Sequence, residues 1–218
     1  MPLPAPLWPY VGACAIGLAM TLLADARGQR ALEWVGKPLA ALAFVAAGFA
    51  WGGLDSPYAQ WILAGLVFGA LGDVLLIPPG TGKVFLGGMV AFALGHLFYV
   101  VAFAQWPMTA AALAGATLGM LLFALLIGRW LMPHVPRDFV GPVLGYIGII
   151  SLMVAVGIAI TLAGAPWPLL VGAIGFALSD LAVARHRFVA PGRGNRLWGL
   201  PLYFASQLVI ASTVIYAP

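Results

Sequence analysis

Charged side chains are scarce in this sequence: of 218 residues, ten are Lys or Arg and six are Asp or Glu, a charged fraction of 7%. A soluble globular domain carries about a quarter charged residues, so this chain lacks the charge to cover its outside in water. Hydrophobic residues make up 63% of the sequence, which excludes intrinsic disorder. The solvent of the folded chain is therefore lipid.

Cysteine and histidine are also nearly absent. A single cysteine, Cys14, excludes an intramolecular disulfide and a thiolate cluster for zinc or iron. Asp73, His96 and Asp180 have the ligand types of a metal site, but the sequence has only three histidines and they lack paired spacing. We therefore expect no metal and no cofactor. The net charge of +4 needs no nucleic acid to explain it.

Long apolar runs are what the sequence has in abundance. A transmembrane helix needs about 20 apolar residues, and breaks at Pro, Gly and charge clusters separate eight such runs. The predicted helices lie near residues 7–24, 38–54, 61–77, 84–104, 109–131, 141–163, 167–184 and 197–217. A short interfacial helix is expected over 27–37. The predicted fold is all-α, a polytopic membrane helix bundle in a single integral membrane domain over 1–218.

The positive charges sort by connection. All ten lie in or around the connections that follow helices 1, 3, 5 and 7: Arg27, Arg30, Lys37, Lys83, Arg129, Arg137, Arg185, Arg187, Arg193 and Arg196. The positive-inside rule then places these four connections in the cytoplasm and both termini outside. A multi-pass protein of the bacterial inner (cytoplasmic) membrane is expected.

A short repeat relates the two halves of the sequence. The letters ALGD at 70–73 recur as ALSD at 177–180, an offset of 107 residues, and His96 and Tyr203 each follow the aspartate of their half by 23 residues. This spacing indicates a parallel four-plus-four repeat, although so few letters also recur by chance in a biased composition. The halves would be residues 1–107 and 108–218.

Ionisable side chains within apolar helices are rare, because a charge at the bilayer centre costs about 2.5 to 3.5 kcal/mol. At about 1.5 Å of rise per residue, Asp73, Asp180 and His96 lie at similar depth in the cytoplasmic half of the membrane. Tyr203 and Gln207 on helix 8 belong to the same band. The band predicts a polar pocket open toward the cytoplasmic leaflet.

These residues also have structural interpretations. Asp73 could pair with Lys83, and Asp180 with an arginine on the following turns. His96 could join two helices by a hydrogen bond, and Lys37 could anchor its helix at the membrane interface.

The polar positions resemble those of the YhhN family of membrane proteins, which includes lysoplasmalogenases. The matching stretches are KPL at 37–39, LGD at 71–73, Phe92, Gly95, His96, Tyr99, LSD at 178–180, Ala184, Arg187, Phe188, Tyr203 and Gln207. They span nearly the whole chain in order. The proline-glycine loop at 78–82 departs from the family pattern.

The resemblance implies a membrane hydrolase that cleaves the vinyl ether of a lysoplasmalogen to a fatty aldehyde and a glycerophospho-alcohol, without a cofactor. Two carboxylates suit this reaction as acid and base, so Asp73 and Asp180 are the expected catalytic pair, with His96. His96 and Tyr99 would orient one carboxylate or the water. The expected substrate-binding residues are Lys37, Tyr99, Ser179, Arg187, Tyr203 and Gln207.

A lysophospholipid among membrane lipids is the expected partner, and the oligomeric state is open. The alternative is a small proton-coupled transporter with Asp73 and Asp180 as coupling residues. Transport needs access from both faces, whereas the outer half of the predicted bundle offers almost no ionisable residues. The enzyme is therefore the favoured interpretation.

Overall fold

The computed structural model describes residues 6–218. Eight long helices form most of this region: α1 (Trp8–Arg27), α2 (Arg30–Ala50), α3 (Pro57–Leu75), α4 (Lys83–Phe103), α5 (Ala110–Leu131), α6 (Arg137–Leu162), α7 (Trp167–Ala184) and α8 (Arg193–Ser212). Short helical turns follow α5, α7 and α8, at Met132–His134, Arg185–Val189 and Thr213–Tyr216. No strand occurs within residues 6–218, and the predicted all-α chain of eight long helices is confirmed.

All eight helices can cross a membrane. Their apolar segments are 19 to 26 residues long, which meets the about 17 to 25 residues that a spanning helix needs. Helices suit this solvent because their backbone hydrogen bonds are satisfied within the segment. The chain is therefore a multi-pass integral membrane protein.

The separate interfacial helix expected over 27–37 is wrong. α2 begins at Arg30 and continues without interruption through Pro38. A proline inside a helix removes one backbone hydrogen bond, but tertiary packing outweighs this local cost. α2 packs along α1, and Lys37, beside the proline, forms a buried ion pair with Asp73 of α3.

Six helices pack in a closed ring. α2 packs against α3, α3 against α4, α4 against α6, α6 against α7, α7 against α8, and α8 against α2. α1 lies outside the ring against α2 and α8, and α5 lies outside it against α6. A four-plus-four repeat would place α1–α4 and α5–α8 in such matching positions. The repeat, the single-domain boundaries and the outside location of both termini remain predictions.

The centre of the ring is aromatic and holds Tyr203 in place. The Tyr203 ring makes edge contacts with Phe44, Phe92, Phe176 and Phe204, at centroid distances between 4.9 and 6.2 Å. Edge-to-face pairs at this spacing are favourable beyond their buried area. Four helices thereby fix the position of one phenol.

The α1–α2 contact depends on a glycine. A Cβ atom on Gly17 would lie 2.5 Å from the backbone nitrogen of Ala40 and 2.6 Å from the carbonyl oxygen of Gly36. Small residues allow transmembrane backbones to approach this closely. Lys37 follows Gly36 directly, so the contact also sets the position of the lysine.

We expect Gly17→Ala to lower the free energy of unfolding by about 1 to 3 kcal/mol, the usual cost of overpacking, because backbone atoms of α2 cannot move aside. Thermal unfolding of the detergent-solubilised protein measures the change. Gly12→Ala on the same helix is the matched control, since nothing lies within 4 Å of its added Cβ atom. Equal unfolding temperatures for the two variants would contradict the expectation.

Candidate active site

A cavity of about 570 Å³ lies at the end of the bundle formed by the four basic connections, hereafter the basic end. Its wall includes six of the predicted site residues: Lys37, Asp73, Ser179, Asp180, Arg187 and Tyr203. The other three, His96, Tyr99 and Gln207, have no exposed surface and lie behind this wall. The structure thus brings residues of α2, α3, α7 and α8 together around one polar space.

Asp73, on the last turn of α3, is bound on both carboxylate oxygens. Oδ1 lies 3.2 Å from the ammonium nitrogen of Lys37, and Oδ2 accepts a hydrogen bond of 2.7 Å from the hydroxyl of Tyr203. Lys37 also donates to the backbone carbonyl of Asp73 at 3.0 Å. Both side chains of the pair are buried. The lysine and the tyrosine hydroxyl favour the ionised form of this carboxyl group and oppose the effect of its burial.

This geometry replaces two of the simpler interpretations. Lys37 is not an interfacial anchor, because its ammonium group is buried against Asp73. Asp73 does not pair with Lys83, whose side chain is exposed at the start of α4. Lys37 was expected to bind the substrate, and two of its three N–H donors are directed at Asp73.

Tyr203 is held by a chain of polar groups that reaches away from the cavity. The hydroxyl of Tyr99 donates to Oε1 of Gln207 at 2.8 Å, and Nε2 of Gln207 donates to the Tyr203 hydroxyl at 3.1 Å. Gly69 leaves room for the amide, since a Cβ there would lie 2.4 Å from Nε2 of Gln207. Tyr99 is therefore linked to Asp73 through Gln207 and Tyr203, whereas His96 contacts Asp180. Although His96 and Tyr99 were expected to share a face of α4, the Tyr99 hydroxyl contacts Gln207 of α8.

Asp180, on α7, has different partners. Its Oδ2 accepts a hydrogen bond of 2.6 Å from the hydroxyl of Tyr146 and lies 3.4 Å from Nε2 of His96. The same His96 nitrogen is 3.1 Å from the Tyr146 hydroxyl. The Asp180 side chain is 18% exposed, against 2% for Asp73. Asp180 is the carboxylate that the cavity reaches more freely.

The neighbours of Asp180 also replace a simpler interpretation. The sequence also allowed Asp180 to pair with an arginine that follows α7. In the structure, its Oδ2 atom contacts Tyr146 and His96 instead. His96 packs edge-on against Phe176, with ring centroids 4.5 Å apart. Within residues 6–218, its Nδ1 atom has no hydrogen-bond partner.

Tyr146 was missed by the sequence analysis. It is the tenth residue of α6, which is otherwise apolar at this depth, and a tyrosine in a membrane helix is ordinarily interpreted as a packing residue. The position along the helix gave one usable signal of this contact. Tyr146 lies in the half of α6 nearer the basic end, as Asp180 does on α7. The contact itself joins residues 34 positions apart.

Ser179 and Arg187 both donate to backbone carbonyls. The Ser179 hydroxyl bonds to the carbonyl of Phe176 at 2.7 Å within α7. Arg187 donates to the carbonyls of Leu76 at 2.7 Å and Gly80 at 2.9 Å, in the connection between α3 and α4. Its guanidinium also lies 4.9 Å from the ring centroid of Phe85. Arg187 thus fixes the proline-glycine loop that forms one lip of the cavity.

The opposite lip is an ion-pair network that joins α1, α2 and α8. Arg196 lies 3.3 Å from the Asp25 carboxylate and also pairs with Glu33. Arg193 donates to the carbonyl of Ala26 and approaches Asp25. From the sequence, these arginines were expected to serve as topology signals. In the structure they close the α1–α2 side of the cavity.

A second, apolar space adjoins the polar cavity. It lies between α4, α5, α6 and α7 and measures about 90 Å³. The two spaces share wall residues, and Asp180 is one of them. Asp180 therefore lies where a polar and an apolar compartment meet.

Two carboxylates line one cavity and differ in their partners. Asp73 contacts a lysine and a tyrosine, whereas Asp180 contacts a tyrosine and a histidine. This is a basis for acid and base catalysis by a pair of like groups, because the environment sets the role of each. Within residues 6–218, no group of three or more His, Cys, Asp or Glu side chains is arranged to hold a metal ion.

Comparison with known proteins gives a family and several relatives. The YhhN family profile matches residues 32–214. Lysoplasmalogenase TMEM86A from Bos taurus is 34% identical over 74% of this chain and 68% of its own length. Human lysoplasmalogenase TMEM86B is 32% identical over 97% of this chain and 87% of its own. A lysoplasmalogenase from Mycobacterium tuberculosis is 32% identical over 70% of this chain and 59% of its own length. No solved structure matches the chain significantly.

Removing the cation beside Asp73 should destabilise the bundle. We expect Lys37→Met to lower the free energy of unfolding by about 3 to 5 kcal/mol, the cost of leaving one member of a buried pair alone. Adding Asp73→Asn to Lys37→Met should recover most of the loss, because no buried charge then remains. Unfolding of the purified proteins in detergent measures both, with Lys83→Met at an exposed site as control. A Lys37→Met protein as stable as the Lys83→Met protein would contradict this role for the pair.

Proposed function

Because the chain belongs to the YhhN family, we propose that it is a membrane hydrolase that cleaves the vinyl ether bond of lysoplasmalogens. Relatives at about 30% identity that carry the name lysoplasmalogenase support this proposal. The observation that carries the mechanism is the pair Asp73 and Asp180, two differently partnered carboxylates on the wall of one cavity. The same relatives do not favour the transporter alternative.

Vinyl ether hydrolysis makes specific demands on a site. A proton adds to the outer alkene carbon and leaves an oxocarbenium ion, which water captures to give a hemiacetal. The hemiacetal then collapses to the fatty aldehyde and the glycerophospho-alcohol, so one water is consumed overall. Glycosidases meet an oxocarbenium-like transition state with two carboxyl groups.

We assign the first proton transfer to Asp180. It has the more exposed carboxyl group of the two, it pairs with no Lys or Arg within residues 6–218, and it lies where the polar cavity meets the apolar space. A substrate with its hydrocarbon chain in the apolar space presents its first double bond there. The hydroxyl of Tyr146 and the imidazole of His96 orient the Asp180 carboxyl group.

Asp73, kept ionised by Lys37, then takes a proton from the attacking water. In the collapse step Asp73 returns that proton to the leaving glycerol oxygen, while Asp180 accepts the proton of the hemiacetal hydroxyl. Both groups end the cycle as they began, so the reaction needs no outside acid or base. Tyr203, held by Gln207 and Tyr99, fixes the direction of the Asp73 lone pairs.

The headgroup phosphate belongs at the basic end of the cavity. Arg187 uses two of its five N–H groups on loop carbonyls, and the others are free to bind a phosphate. Arg30 lies on the same wall and adds a second positive charge. A lysophospholipid can then keep its phosphate at the membrane surface while its first chain bond reaches the carboxylates.

The reaction is tested by giving the purified protein a lysoplasmalogen and its saturated ether analogue. We expect aldehyde from the vinyl ether alone, and hydrolysis in heavy water should leave one deuterium on the carbon next to the aldehyde group, because protonation occurs there. Asp73→Asn and Asp180→Asn should each lower kcat at least about 100-fold, the scale of general acid–base catalysis.

Asp55→Asn is the matched control, because Asp55 is exposed in the connection between α2 and α3. It should retain full activity. Normal turnover by both folded site variants would reject the carboxylate pair and leave the family's activity to other residues. Aldehyde release from neither substrate by the unaltered protein would reject the proposed reaction itself.

We also propose that the protein lies in a bacterial cytoplasmic membrane with its basic end in the cytoplasm. The support is the charge distribution, since nine of the ten Lys and Arg residues lie in or beside four connections at one end, and Lys37 lies in α2 about two turns from the same end. The cavity would then open to the cytoplasmic leaflet.

Labelling of intact cells by a membrane-impermeant thiol reagent checks the orientation. In a Cys14→Ala background, we expect a cysteine placed at Lys83 to react only after permeabilisation and one placed at Asp55 to react before it, since both positions are exposed at opposite ends. The reverse pattern would invert the topology.

A further inference from the structure

The apolar space beside Asp180, hereafter the chain groove, is built by four helices. α5 forms its outer wall with Met120, Phe123 and Ile127, and α7 forms its inner wall with Ala177. α5 lies outside the helix ring, and only Ala116 and Leu131 along it are buried. The groove is therefore separated from the lipid by a single helix.

The chain groove lies directly beside the polar cavity. Leu76, Phe92, Asp180 and Val183 line both spaces. Apart from Asp180, the polar side chains of the groove are those of Tyr146 and Ser151. An apolar occupant of the groove would thus lie against the carboxyl group that the polar cavity also reaches.

The volume limits what the groove can hold. At about 90 Å³ it is smaller than an engineered protein cavity of about 150 Å³ that binds benzene. It can enclose only a few carbon atoms of a lipid chain. The remainder of a long chain must lie elsewhere, and the exposed leucines of α5 offer a surface already in contact with lipid: Leu118, Leu121, Leu122, Leu125 and Leu126.

We propose that the chain groove binds the first carbons of the substrate's alkenyl chain, those next to the vinyl ether, while the rest of the chain passes into the lipid along α5. This inference rests on the proposed function and adds a specificity site to it. The groove places the outer alkene carbon against Asp180, and it selects unbranched chains near the ether without measuring total chain length. Ala177 is the residue that sets the width, because it lies one turn before Asp180 on the same face of α7.

Filling the groove tests the assignment. Ala177→Phe should lower kcat/KM about 10-fold or more for a long-chain alkenyl glycerophosphocholine, the scale on which a pocket discriminates by shape. The same variant should hydrolyse the propenyl analogue, which has almost no chain, within about twofold of the unaltered protein. Leu178→Phe is the matched control, since Leu178 is 41% exposed on the outside of the bundle, and it should leave both rates unchanged.

Opening the groove gives an independent readout if Ala177→Phe does not fold. The unaltered protein should prefer a straight chain over one with a methyl branch next to the vinyl ether by about 10-fold. Met120→Ala should narrow this preference several-fold, whereas Leu144→Ala, on the exposed face of α6, should not. A preference that is absent, or that is equal in the two variants, overturns the assignment.

Failure of the groove and failure of the reaction have different signatures. Equal loss on long-chain and propenyl substrates in Ala177→Phe, with the unaltered protein active, rejects the groove and keeps the reaction. If the unaltered protein cleaves neither substrate, the groove is tested by titration calorimetry with the saturated long-chain ether lysolipid. Its affinity should still fall about 10-fold in Ala177→Phe, and an unchanged affinity rejects the groove on its own.

Discussion

The ion pair between Lys37 and Asp73 is the contact on which the rest of the site depends. A lone carboxylate at this depth would be expensive in lipid, and the lysine makes its burial tolerable. To reach Asp73, the lysine must sit inside a helix that runs unbroken past Pro38, which explains why α2 begins so early. The pair also leaves the second carboxylate oxygen free for Tyr203 of α8. From Tyr203, hydrogen bonds continue through Gln207 to Tyr99 of α4.

Two similar sequence positions have acquired different environments. Asp73 and Asp180 end matching motifs on α3 and α7, yet one faces a cation and the other faces a tyrosine hydroxyl and an imidazole. Because partners and solvent access determine what a carboxyl group does, the same residue type can serve as acid at one position and base at the other. The asymmetry comes from the neighbouring helices, since α2 supplies Lys37 where α6 supplies Tyr146.

The sequence predicts what depends on local pattern. Apolar length fixes the eight helices, and the rise per residue places Asp73, Asp180 and His96 at one depth. The partners depend on helix packing, which pattern does not encode. Pro38 resembles a helix start, so Lys37 was placed at the interface, and Tyr146 is indistinguishable from a packing residue until α6 lies beside α7. The α1–α2 approach at a glycine is equally invisible without the fold.

The order of the partners along the chain bears on how the protein enters the membrane. Lys37 precedes Asp73 by 36 residues, and His96 and Tyr146 precede Asp180 by 84 and 34. During synthesis from the N-terminus, each carboxylate therefore leaves the ribosome after at least one of its partners has left it. Neither acidic helix has to partition into lipid with its charge unaccompanied, so the arrangement that serves the folded site also lowers the cost of assembling it.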